Sequence, residues 1–129
     1  MNTTKSALTK RMKELAQDFT RSVGRLIPRF SNELAFILES KDNIPQLSAC
    51  SELIKASASQ KEEAAIRFVL LVIYVLNSMN KDESKILWCS YFILGDNHWW
   101  AKLYSKSGYY RLRSCAILHF VTLIDSVTL

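Results

Sequence analysis

Leu8, Met12, Leu15, Phe19 and Val23 recur at steps of three and four, the spacing that lines one side of a helix. Lys10, Lys13, Asp18 and Arg21 fall off that stripe. The pattern predicts a helix over about residues 4–24, closed by Gly24 and Pro28. A second helix is expected from Ser31, whose hydroxyl can cap it, carrying Leu34, Ile37 and Leu38. Asp42, Asn43 and Pro45 end it, because the residue before a proline is pushed out of the α region. A short third helix covers about 46–55.

Ser59 followed by Glu62 reads as a capping box. The helix it starts is the most apolar in the chain: from Ala64 to Leu76 only Arg67 is polar. That run is shorter than the roughly 20 residues a membrane span needs. Its β-branched residues (Ile66, Val69, Val72, Ile73 and Val75) also suit a buried strand, but cap and length favour a central helix over about 60–79. Asp82 is placed to cap a helix over 83–94, ended by Gly95, Asp96 and Asn97. A short helix over 98–104, capped by Asn97, and a longer one from Gly108, capped by Ser107, complete the pattern. The expectation is an all-α fold: one domain of about seven helices, with N-terminal helices over 1–80 and a helix-turn-helix module over 82–125.

Composition agrees. The chain has 129 residues, 49% hydrophobic and 22% charged, with only three Gly and two Pro. A β-sandwich or α/β fold would need more turn glycines, and a core of this size needs no metal or disulfide. Cys50, Cys89 and Cys115 are odd in number and lack a CxxC, which predicts reduced, mostly buried thiols. The first fifteen residues contain no apolar signal-peptide core, so a cytoplasmic protein is expected. Charge is uneven: seven basic residues face two acidic ones over 1–30, and four face one over 100–129, around an acidic middle. Such ends suit a polyanion, although solvated basic faces look the same.

On a helical wheel of the last helix, Tyr109, Leu112, Ala116, Phe120 and Leu123 share one face, with His119 at its edge. Tyr110, Arg111 and Ser114 point away, and Arg113 flanks them. Arginine can bridge guanine O6 and N7, while tyrosine and serine suit phosphate or base edges. Lys106, in the preceding turn, is placed for phosphate. An amphipathic surface helix with ordinary arginines is the plainer alternative. Further along, Ile117, Leu118, Val121 and Ile124 make the other side apolar too, so that end must be enclosed by the first helix or by a second copy in a homodimer.

The string Ser105-Lys106-Ser107-Gly108-Tyr109-Tyr110-Arg111-Leu112-Arg113, followed by Ala116, Ile117 and Phe120, resembles the signature of ArpU-type phage late-gene transcription regulators. Their C-terminal part is similar to region 4 of sigma-70 factors. The pattern there is close to S-R-S-T-Y-Y-R-L-K, so Gly108 stands for a Thr, and Lys106 and Arg113 are basic exchanges. The likeness spans about residues 83–123, with Glu83 to Leu87 and Tyr91 where the family has its first motif helix. Bulky Trp99, Trp100 and Tyr104 stand where the family has a small residue and a glycine, which predicts a shifted or shortened middle helix. The resemblance implies a regulator that binds double-stranded DNA and also contacts RNA polymerase. A degenerate module that docks protein without binding DNA is the alternative. Wheel and resemblance together make Ser105, Lys106, Ser107, Tyr109, Tyr110, Arg111, Arg113 and Ser114 the candidate DNA contacts.

Other chemistry is thin. Cys115 and His119, with Cys89 and His98, offer a Cys2His2 set, but the upstream spacing fits no common zinc finger. Trp88, Trp99 and Trp100 read as core rather than as a ligand cage. No nucleophile elbow, phosphate loop or HExxH occurs, so neither an enzyme nor a cofactor is expected.

Overall fold

The computed structural model describes residues 5–41, 43–93 and 97–127. Among them are six α-helices, one 3-10 turn, one π-helical turn and no strand. α1 spans Lys5–Phe30 and buries Met12, Leu15, Ala16, Phe19, Val23, Leu26 and Phe30 along one stripe. It does not stop at Gly24 or Pro28, as expected from sequence. Pro28 removes an N–H and crowds the carbonyl four residues back, at a cost of about 3 kcal/mol in a helix interior. That carbonyl belongs to Gly24, and a side chain added there would meet nothing within 4 Å. Leu26 and Phe30 are both buried. Each contributes about 1.5–3 kcal/mol of apolar burial, enough to carry the helix through the proline.

Ser31 does not cap a second helix. The Leu34 amide donates to the Phe30 carbonyl at 2.9 Å. The chain thus stays wound after α1 and presents no fresh N-terminus to cap. α2 is the single turn Ala35–Leu38. A 3-10 turn over Leu47–Cys50 and α3, Ser51–Lys55, occupy the expected third helix. Burial pushes the Cys50 thiol up to about 11, as for a thiol kept in the core.

α4 spans Gln60–Ser78 with the expected capping box. The Glu62 amide donates to Ser59 Oγ at 3.3 Å, and the Ser59 amide donates to Glu62 Oε1 at 3.0 Å. That backbone bond, with Arg29 nearby, holds the Glu62 carboxyl below its usual range. Replacing Ser59 by Ala is expected to lower stability by about 1 kcal/mol in urea denaturation. An unchanged midpoint would show that the box is not formed in solution. α4 packs along α1 and against α6, α5 and the 3-10 turn, with Tyr74 left exposed.

α5, Lys81–Leu87, is capped by Asn80 rather than Asp82. Asn80 Oδ1 accepts from the amides of Asp82, at 2.8 Å, and Glu83. The helix then widens into a π turn over Trp88–Phe92, closed by the Ile93 amide donating to the Trp88 carbonyl at 3.1 Å. The expected helix end at Leu94 and the break at Gly95 and Asp96 lie outside the described residues.

α6, Lys106–Val127, begins earlier than the expected Gly108. Ser105, not Ser107, caps it: the Gly108 amide donates to Ser105 Oγ at 3.1 Å. A Cβ on residue 108 would lie 2.9 Å from that oxygen, so glycine leaves room for the cap. The buried face is Tyr109, Ala116, Ile117, Phe120, Val121 and Ile124. Leu112 is only half-buried and Leu123 is exposed. The wheel is thus turned from its expected setting, because Ile117, Val121 and Ile124 join the core that α6 shares with α1 and α4 of the same chain. Arg11 of α1 ties to Asp125 at 3.1 Å. His119, expected half-buried, is exposed and donates from Nδ1 to the buried Glu83 carboxylate at 2.7 Å. The core runs from Met12 to Ile124. At its centre Phe19, Trp88, Phe92 and Phe120 meet at ring separations of 5.1 to 6.0 Å. No helix among the described residues is long and apolar enough to cross a membrane.

Candidate nucleic-acid interface

α6 packs against α5, α1 and α4, while most of the side chains of its first turns stand at the surface. With 22 residues the helix is about 33 Å long; apart from Tyr109 its buried residues lie from Ala116 onward, so most of the anchoring falls away from its start. Lys106, Ser107, Tyr110 and Arg111 are exposed there, as is the cap Ser105. Arg113 is partly buried, its guanidinium 4.6 Å from the ring centroid of Tyr110 and 5.7 Å from that of Tyr109. Ser114 is half-buried, and its hydroxyl donates back to the Tyr110 carbonyl at 2.9 Å. Tyr109 is corrected from contact to support. It is 4% exposed, its ring lies on Trp100 at 4.4 Å and 9°, and its hydroxyl meets Ser90 Oγ at 2.7 Å.

Residues 97–103 form consecutive turns, not the expected helix over 98–104. Ala101 donates to His98 at 3.0 Å, and Leu103 and Tyr104 both donate to Trp100 at 2.9 Å. The cause is aromatic. Trp99 and Trp100 both pack on the Tyr109 ring, whereas neighbours on a helix diverge by about 100°. Trp99 Nε1 also donates to Ser90 Oγ at 3.4 Å. Of the three tryptophans only Trp88 is fully buried; Trp99 and Trp100 are half-buried.

Electrostatics favour an anion. Lys102, Lys106, Arg111 and Arg113 form no ion pair among the described residues, whereas Arg11, Arg21 and Arg29 of α1 are paired with Asp125, Asp18 and Glu62. A cleft of about 490 Å³ borders the start of α6, and Thr9 and Lys13 of α1 line it together with Tyr110 and Arg113. Sequence reasoning registered the N-terminal charge block but missed that Lys13 reaches this site. The basic excess was its only signal, and position depends on how α1 crosses α6. Among the described residues no three His, Cys, Asp or Glu side chains converge as a metal would need. Cys115 lies exposed, away from the core that holds Cys50. No family model matches this chain, and no curated protein or solved structure matches it either.

Proposed function

We propose that this chain is a DNA-binding transcription regulator that sets the first turns of α6 in the major groove. The observation that carries this reading is the joint exposure of Lys106, Tyr110 and Arg111, with no carboxylate paired to either cation among the described residues. Long cationic side chains left unpaired on one helix end match a phosphate-lined groove. The start of α6, capped by Ser105, adds a positive dipole end suited to phosphate. The resemblance to ArpU-type regulators rests on the same segment. In this reading α5 with its π turn is the supporting helix, α6 is the recognition helix, and the stacked turns 97–103 replace the sigma-region-4-like middle helix.

That replacement also favours a second reading, a helical module that docks a protein such as RNA polymerase without binding DNA. Duplex titration at varied salt separates the two. With roughly four to seven phosphate contacts, log K is expected to fall against log salt with a slope of about −4 to −6. No duplex binding at low salt would remove the first reading and leave the second.

A further inference from the structure

The cleft beside α6 has a chemistry of its own. Five aromatic side chains (Tyr91, Trp99, Trp100, Tyr109 and Tyr110) line it, with two cations, Lys13 and Arg113, and no carboxylate among the described lining residues. A cage for a cationic ligand would need the reverse charge. Its volume, about 490 Å³, is in the range of small-ligand sites. One wall is the π turn, which supplies Cys89, Ser90 and Tyr91. Arg113 Nε is buried and has no hydrogen-bond partner among the described residues. Its guanidinium rests on the faces of Tyr109 and Tyr110. Stacking occupies the faces of the guanidinium and leaves its in-plane donors for an oxyanion.

We propose that this cleft binds an unpaired nucleotide, with the base on the tryptophan–tyrosine wall and the phosphate held by Lys13 and Arg113. Aromatic walls accept any base, because every base has a π face. Specificity for the nucleotide then comes from joining two weak contacts: a ring without phosphate loses the cations, and phosphate without a ring loses the wall. The inference does not rest on duplex binding and fails separately from it.

The test titrates the full chain with the four nucleoside 5′-monophosphates, adenosine and inorganic phosphate, following tryptophan fluorescence. Saturable binding of the monophosphates is expected, with adenosine and inorganic phosphate at least tenfold weaker. Lys13→Ala lies on an exposed helix position and is expected to weaken the monophosphates about tenfold while leaving adenosine unchanged. Alkylation of Cys89, in the cleft wall, should slow with bound nucleotide, while the exposed Cys115 keeps its rate. A short oligothymidylate separates the two sources of such a ligand. Binding at least tenfold tighter than thymidine monophosphate assigns the site to a single strand, and equal binding assigns it to the free nucleotide. No saturable binding of any monophosphate at millimolar concentration overturns the proposal. So does binding that neither Lys13→Ala nor Cys89 protection reflects.

Discussion

Trp88→Ala is expected to lower stability by about 3–5 kcal/mol, the range for removing a large aromatic from a core. Trp88 is 0% exposed. Its ring meets Phe19 edge-on at 6.0 Å and stacks on Phe92 at 5.9 Å. Truncation therefore opens a void where α1, α6 and the π turn meet. For a domain whose net stability is about 5–15 kcal/mol, that is a large share. A companion variant locates the cause. Trp88 Nε1 is buried without a hydrogen-bond partner among the described residues, so Trp88→Phe loses volume but no bond, and relieves a desolvated N–H. It is expected to cost less than half as much as the alanine. Urea denaturation of both variants supplies the measurement. Equal losses would mean that the indole N–H has a partner, and a small loss for alanine would remove Trp88 from the core.

The second large effect separates base reading from phosphate contact, and it rests on the proposed DNA-binding function. Arg111 is exposed in the second turn of α6, where a guanidinium can reach a guanine edge. Arg111→Ala is expected to cost about 1–3 kcal/mol on a preferred site, selected from random duplexes, and little on random DNA. Lys106 opens the helix and is the proposed phosphate contact. Lys106→Ala should weaken both kinds of DNA alike and reduce the salt slope by about one. Both side chains are exposed and have no ion-pair partner among the described residues, so both variants should melt as the parent does. Equal weakening of preferred and random DNA by Arg111→Ala would make Arg111 a phosphate clamp. Base reading would then pass to Tyr110, because the Ser114 hydroxyl already bonds the backbone. If neither change altered DNA binding while one abolished binding of a protein partner, the docking reading would take over.

Much of this architecture was legible before any coordinates. The stripe of α1, the Ser59–Glu62 box and the apolar run of α4 all appear where the spacing placed them. Such signals act within one or two turns: a cap bonds amides two or three residues on, and a single apolar side must be buried whatever its partner. Exposure of Lys106, Tyr110 and Arg111 was likewise readable, since each lies off the apolar side of α6.

Where the sequence permitted two answers, neighbours chose between them. α6 is apolar on two sides, so periodicity could not say which is buried; the core it shares with α1 and α4, distant in sequence, takes in Ile117, Val121 and Ile124 and leaves Leu123 exposed. Ser107 was the expected cap, yet Ser105 takes that place, because the close approach at Gly108 leaves room for its hydroxyl. Residues 98–104 satisfy a helical pattern, yet two indoles share one tyrosine and the helix gives way to turns. Pro28 ends a helix in isolation, but burial of Leu26 and Phe30 outweighs it. Lys13 enters the cleft only because α1, distant in sequence, packs beside α6. In each case local preferences differ by about a kcal/mol or a few, while long-range burial contributes as much or more, and burial is known only once the distant segments have met.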